Sequence, residues 1–126
     1  MHLWNLDAPH EDGRKGPLVL FSTPEARMVV IELGPDEELG DHRVRERAAI
    51  QVLVGAVEVT ADGSSTACDA GSLLVFDPGE RHAIRALRQS RLLLMLAPWP
   101  GSGHYDAAEN EDPHELPAHA TAREVL

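Results

Sequence analysis

Short apolar runs punctuated by glycine, proline and aspartate fill the middle of the chain. Residues 18–21 follow Pro17, and residues 27–33 follow Pro24. Two further runs, 48–54 and 57–60, flank Gly55, and Asp62-Gly63 is a hairpin signal beyond them. Residues 73–76 stop at Asp77-Pro78-Gly79, and residues 82–87 and 91–97 complete the set. Runs this short, closely spaced and without a helical period between them, predict antiparallel strands closed into a barrel or sandwich. From His42 onward the even positions read Val44, Glu46, Ala48, Ile50, Val52 and Val54, whereas Arg43, Arg45 and Arg47 occupy odd positions. Side chains alternate faces along a strand, so the even face is the inward one.

The pattern changes after Ala97. Pro98-Trp99-Pro100-Gly101 removes strand donors and favours turns. Beyond it the sequence is acidic and rich in alanine, with Pro113 and Pro117 limiting any helix to short pieces near 106–111 and 121–126. The expected organisation is an N-terminal arm at 1–17, a barrel at 18–97 and an acidic extension at 98–126. Trp99 is expected to anchor the end of the barrel, and Trp4 to anchor the arm. His104-Tyr105, His114 and His119 read as solvated residues of the extension.

Composition narrows the classes of function. A chain of 126 residues suffices for one core. The formal net charge of −10 opposes binding to nucleic acid or to anionic lipid. The single cysteine, Cys68, precludes an internal disulfide and fits a reducing cytoplasm. It reads as a half-buried structural thiol. The longest apolar stretch, 92–97, is too short to span a bilayer. No phosphate-binding glycine loop, G-x-S-x-G elbow or C-x-x-C pair is present, which argues against nucleotide hydrolysis, α/β-hydrolase chemistry and thiol redox.

Two glycine-punctuated segments carry the chemistry. In the second, Gly71, Gly79 and His82 have the spacing G-x7-G-x2-H, with Asp77-Pro78 before Gly79 and Ala86 after His82. The first runs from Gly34 through His42 to Gly55. Together they resemble the paired motifs of the cupin superfamily, over roughly residues 18–97. In the second motif Asp77 stands at the usual proline and Ala86 at the usual asparagine. The first motif fits in two ways. With His42 as its first histidine, Gly55 is in place, but Val44 and Ala48 replace the second histidine and the glutamate. With His42 as the second histidine, Gly34 and Glu46 are in place, Gly40 replaces the first histidine, and Gly55 arrives two residues late.

The resemblance implies an all-β, antiparallel cupin-type barrel that pairs as a homodimer and takes a small molecule in its interior. It also implies a divalent metal site (Fe, Mn, Ni or Zn) with His42, His82 and Glu46 as its ligands. Two imidazoles and one carboxylate form a facial set that leaves open positions on the ion. On an unbroken strand, however, residues 42 and 46 stand about 13 Å apart, so a bulge or bend is required. Without one, Glu46 is an ion-pair partner among surface arginines. Arg81 is expected in solvent, and Arg85 within reach of an anionic ligand or a partner subunit. Two functional classes follow: a metal-dependent enzyme of dioxygenase or isomerase type, and a metal-free binding or dimerisation module.

Overall fold

The computed structural model describes residues 1–7, 17–42 and 44–99, the side chains of 41 and 42 excepted. Among the described residues nine strands divide between two sheets: β1 (Leu18–Ser22), β2 (Arg27–Leu33), β3 (Glu38–His42), β4 (Arg47–Val54), β5 (Ala56–Ala61), β6 (Ser64–Asp69), β7 (Leu73–Phe76), β8 (His82–Ala86) and β9 (Ser90–Ala97). The five-stranded sheet has the order β1-β2-β9-β4-β7, and the four-stranded sheet the order β3-β8-β5-β6. All pairings are antiparallel. No helix is present among the described residues. None is long and apolar enough to cross a membrane.

The core lies between the sheets, and strand alternation builds it. The five-stranded sheet contributes Val29, Ile31 and Leu33 from β2, Ala48, Ile50 and Val52 from β4, and Leu92, Leu94 and Leu96 from β9. The four-stranded sheet answers with Leu39, Val57, Val59, Cys68, Ile84 and Ala86. The inward set read from the sequence is buried from Val44 through Val52. Val54 is exposed instead, because the β4–β9 register shifts between Val52 and Val54 and turns its side chain outward. Trp99 packs against the core, with the Arg27 guanidinium 4.7 Å above its ring. Trp4 stacks on Phe21 at 5.9 Å.

The chain does not continue as one strand from His42. It leaves the four-stranded sheet at the end of β3 and joins the five-stranded sheet at Arg47. His42 and Arg47 thus belong to different sheets, and one end of the barrel is built around this crossing.

Cys68 is buried on β6 rather than half-buried. Burial, and then the neighbouring Asp69 carboxylate, push its thiol above the usual range. In the unfolded chain the thiol ionises more readily. The proton linkage therefore stabilises the fold below the thiol's unfolded pKa, and that contribution is lost as pH rises toward the folded value. Iodoacetamide should modify the native protein at least about tenfold more slowly than the urea-unfolded chain. Equal rates by mass spectrometry would show that the thiol is accessible.

Candidate functional site

The site is built at the barrel end where β3, β8 and the sheet crossing meet. His82 opens β8, and β8 lies between β3 and β5. Its register partners are His42 on β3 and Ala61 on β5. The β3–β8 register shifts between Leu39 and His42, so an irregularity immediately precedes this histidine pair. The side chain of His42 lies outside the described residues; its backbone position is opposite His82.

A tight turn delivers His82. Gly79 has a φ of 81°, in the left-handed region that glycine enters without strain. Glu80 N–H donates to Asp77 O at 3.0 Å, and Asp77 N–H donates to Glu80 Oε1 at 2.9 Å. Gly79 N–H donates to Val44 O at 2.7 Å, which fastens the turn to the crossing segment. The Arg47 guanidinium pairs with the Asp77 carboxylate across the same junction. His82 then enters the barrel with only 2% of its surface exposed.

Phe76 and Glu80 both contact its imidazole. The ring lies parallel to Phe76, with centroids 4.0 Å apart and planes 9° apart. Nδ1 is 3.1 Å from the carbonyl oxygen of Glu80. A carbonyl only accepts, so Nδ1 carries the proton in that bond. In the neutral ring the lone pair is then on Nε2.

Glu46 is 2% exposed. It belongs to the barrel interior and not to the surface. Alternation explains this: Val44, Glu46 and Ala48 point inward, while Arg45 and Arg47 are exposed. Ala48 pairs in register with Phe76, whose ring covers the His82 imidazole. Glu46 is therefore two residues along the same inward face from the strand pair that supports His82. The structure brings Glu46 and His82 to one end of the barrel. Among the described residues, which exclude the side chain of His42, no group of three His, Cys, Asp or Glu is placed to hold a metal ion.

The other candidates fall away from this end. Arg85 is engaged on the outer face of the four-stranded sheet, 3.0 Å from Asp36 and 3.2 Å from Glu58. Its hydrogen bond to Glu58 and the charge of that carboxylate raise its pKa further. Arg81 is exposed. His104, Tyr105, His114 and His119, with the helices expected at 106–111 and 121–126, lie outside the described residues. The Glu80 carbonyl and the Phe76 stack were not foreseen. A backbone acceptor has no signature in sequence, and Phe76 read only as the end of a strand.

No protein-family model matches the sequence, and neither does any curated protein. Solved structures do. An RmlC-like cupin protein from Desulfovibrio desulfuricans superposes with a TM-score of 0.68 at 25% identity, covering 78% of this chain and 97% of its own. The chain has a cupin fold. An uncharacterised conserved protein with a double-stranded β-helix domain from Klebsiella pneumoniae gives a TM-score of 0.67 at 20% identity, over 81% of this chain and 94% of that one. A variant of salicylate 1,2-dioxygenase from Pseudoaminobacter salicylatoxidans gives 0.61 at 18% identity, matching 64% of this chain to 25% of the dioxygenase. The cupin barrel thus occurs in a whole small protein and as part of a larger dioxygenase. At these identities the likeness establishes architecture, and function has to be argued from the site.

Proposed function

We propose that this cupin is a metal-dependent enzyme acting on a small organic molecule, with His82, Glu46 and His42 as the ligands of one divalent ion. The observation that carries the reading is the 3.1 Å contact between His82 Nδ1 and the Glu80 carbonyl. Outer-shell bonds of this type orient metal-binding histidines and leave the second nitrogen as the donor. The buried Glu46 carboxylate supplies the negative charge that a divalent cation requires at the same end of the barrel. His42, the register partner of His82, completes a set of two imidazoles and one carboxylate. Such a set suits Fe(II) with open coordination positions, and accepts Mn, Ni or Zn. An ion held there would polarise an oxygen of the bound substrate.

The residues of the chain have separable tasks. The Glu80 carbonyl holds a proton on Nδ1. Phe76 holds the ring plane. Ile50, Ile84 and Leu96, all buried, make the interior beyond the site apolar. The Arg47–Asp77 pair is on the outside, where it fixes the turn without adding charge to the site. Dioxygenase and isomerase-like chemistry both suit an open-sided ion in such a barrel.

A second reading is a metal-free module that binds a small molecule in the same barrel. It is favoured by Val44 and Ala48, both buried and apolar, which stand at two ligand positions in one fit of the first motif. Elemental analysis of protein purified without a histidine tag or chelating column separates the two. One equivalent of Fe, Mn, Ni or Zn per chain is expected, with retention weakening as pH falls because a protonated imidazole cannot ligate. Protein that stays empty after incubation with each ion under anaerobic conditions would leave the binding module as the function.

A further inference from the structure

Among the described residues, Arg27 is an inward-facing cation at the site end of the barrel that the proposed ligand set does not use. It opens β2, and its parity is that of the buried Val29, Ile31 and Leu33. Alternation therefore turns it toward the interior. Register carries it across the sheet: Arg27 pairs with Leu96, Leu96 with Ala48, and Ala48 with Phe76. The last member of that row is the ring on which His82 is stacked. Glu46, also buried, precedes Ala48 by two residues. Two strand spacings, about 10 Å, separate the backbones of Arg27 and Ala48. That gap is one that a long side chain and a small molecule bridge together.

Trp99 braces the head group. Its N–H donates to Pro24 O at 3.2 Å, and its side chain packs against the core. The Arg27 guanidinium carbon stands over the ring, 4.7 Å from its centroid. Stacking of this kind uses the face of a guanidinium; the N–H donors lie in its plane and stay available. One of them, Nε–H, is buried and has no hydrogen-bond partner among the described residues. Arg47, Arg85 and Arg91 each face a carboxylate, whereas Arg27 forms no ion pair among the described residues. A donor withheld from water costs stability unless something accepts from it. A bound ligand is such an acceptor.

The acceptor that fits is a carboxylate. Nε–H and the neighbouring Nη–H form a fork that the two carboxylate oxygens match. A chain of net charge −10 repels anions at long range, so an organic anion in this barrel needs a local cation, and Arg27 supplies one. A neutral amide or alcohol leaves that charge unanswered. A phosphate carries about 1.5 to 2 negative charges at neutral pH, more than one guanidinium balances, and Arg27 is the only cation in its row.

We propose that Arg27, braced by Trp99, binds the carboxylate of the molecule that the barrel takes, so that the ligand is a small organic acid. The inference rests on this barrel end being the ligand site, and it holds with or without an ion there. The buried Nε–H reports directly on it in a proton–nitrogen correlation spectrum of the full chain, its signal identified by its loss in Arg27→Lys. Acetate and benzoate are the probes, acetamide and benzamide their neutral counterparts, and inorganic phosphate the competing anion. Both carboxylates should shift the Nε–H signal saturably, and the amides should bind at least about tenfold more weakly. Arg27→Gln should weaken benzoate binding by about tenfold or more and leave the metal content of the same samples unchanged. Acetate is too small for shape to exclude it, so an Nε–H signal that ignores both carboxylates overturns the proposal and makes Arg27 a packing contact of Trp99. Amides bound as well as carboxylates, or phosphate bound more tightly, overturn it too, as does an Arg27→Gln protein that binds benzoate like wild type. If that variant does not fold, the wild-type titration decides alone. Metal-free wild type that binds benzoate through Arg27 upholds the proposal and sinks the metal-dependent reading; metal-loaded wild type whose Nε–H ignores carboxylates does the reverse.

Discussion

Gly55→Ala is expected to destabilise the protein by about 3 kcal/mol or more, lowering its melting temperature by on the order of 10 °C. Two costs combine at this position. Gly55 has a φ of 90°, where a side chain strains the backbone. A Cβ built there would also stand 2.3 Å from Gln89 O, 2.4 Å from Ser90 Oγ and 2.8 Å from Ser90 Cα. Two of those atoms are backbone, so the β8–β9 connection would have to move. Ser90 is itself committed: its hydroxyl accepts from Ala56 N–H at 3.1 Å and lies 3.0 Å from Ala56 O. Gly63→Ala is the control. Its φ is 75°, but nothing lies within 4 Å of an added Cβ, so only the backbone term of about 1–2 kcal/mol applies. Urea unfolding of both variants measures the difference. Equal costs would show that close approach at Gly55 is relieved by relaxation and that backbone conformation alone is being read.

The second large effect concerns His82. In the metal-dependent reading, His82→Ala removes a ligand and should weaken metal binding by at least about a hundredfold, more than the loss of an outer-shell partner costs. The stability cost should be smaller, about 2–3 kcal/mol from the cavity beside Phe76. Phe76→Leu separates the two effects. It removes the stack at 4.0 Å but keeps the imidazole and its bond to Glu80, so metal should be retained within about tenfold. Elemental analysis after dialysis and a denaturation curve on each variant provide the readouts. Metal lost equally from both variants would mean that the pocket's shape, rather than the His82 nitrogen, holds the ion. An unchanged ion content in His82→Ala would remove His82 from the ligand set.

Much of the fold could be read from local pattern. Alternation from Val44 to Val52 identified the inward residues leading into and along β4, because this stretch is covered on the inside by the opposite sheet and must be apolar there. The unbroken apolar run 92–97 marked β9 as a strand without showing which of its residues face inward. Alternation failed where the chain changes sheets. Nothing in the run from His42 to Val54 marks the departure from β3, since inward positions keep their period on both sides of the crossing. The same period did carry the burial of Glu46. Three neighbouring arginines suggested a solvated segment, yet they occupy the outward positions and say nothing of the inward ones. His82 was legible from its glycine spacing. The Glu80 carbonyl and the Gly79–Val44 hydrogen bond were not, because main-chain partners are chosen by tertiary register, which no residue type encodes.

The hydrogen bond from Gly79 N–H to Val44 O has a mechanical consequence. It ties the turn that orients His82 to the stretch of chain that carries Glu46. The imidazole and the carboxylate, distant in sequence, are thereby mounted on a single bracket. If the two sheets breathe apart, the bracket travels as one piece, and the spacing between the two groups is insulated from that motion. Tolerance to substitution should follow the same boundary: changes in the far half of the barrel can loosen the protein without detuning the site, whereas an insertion between His42 and Arg47 would detune it directly.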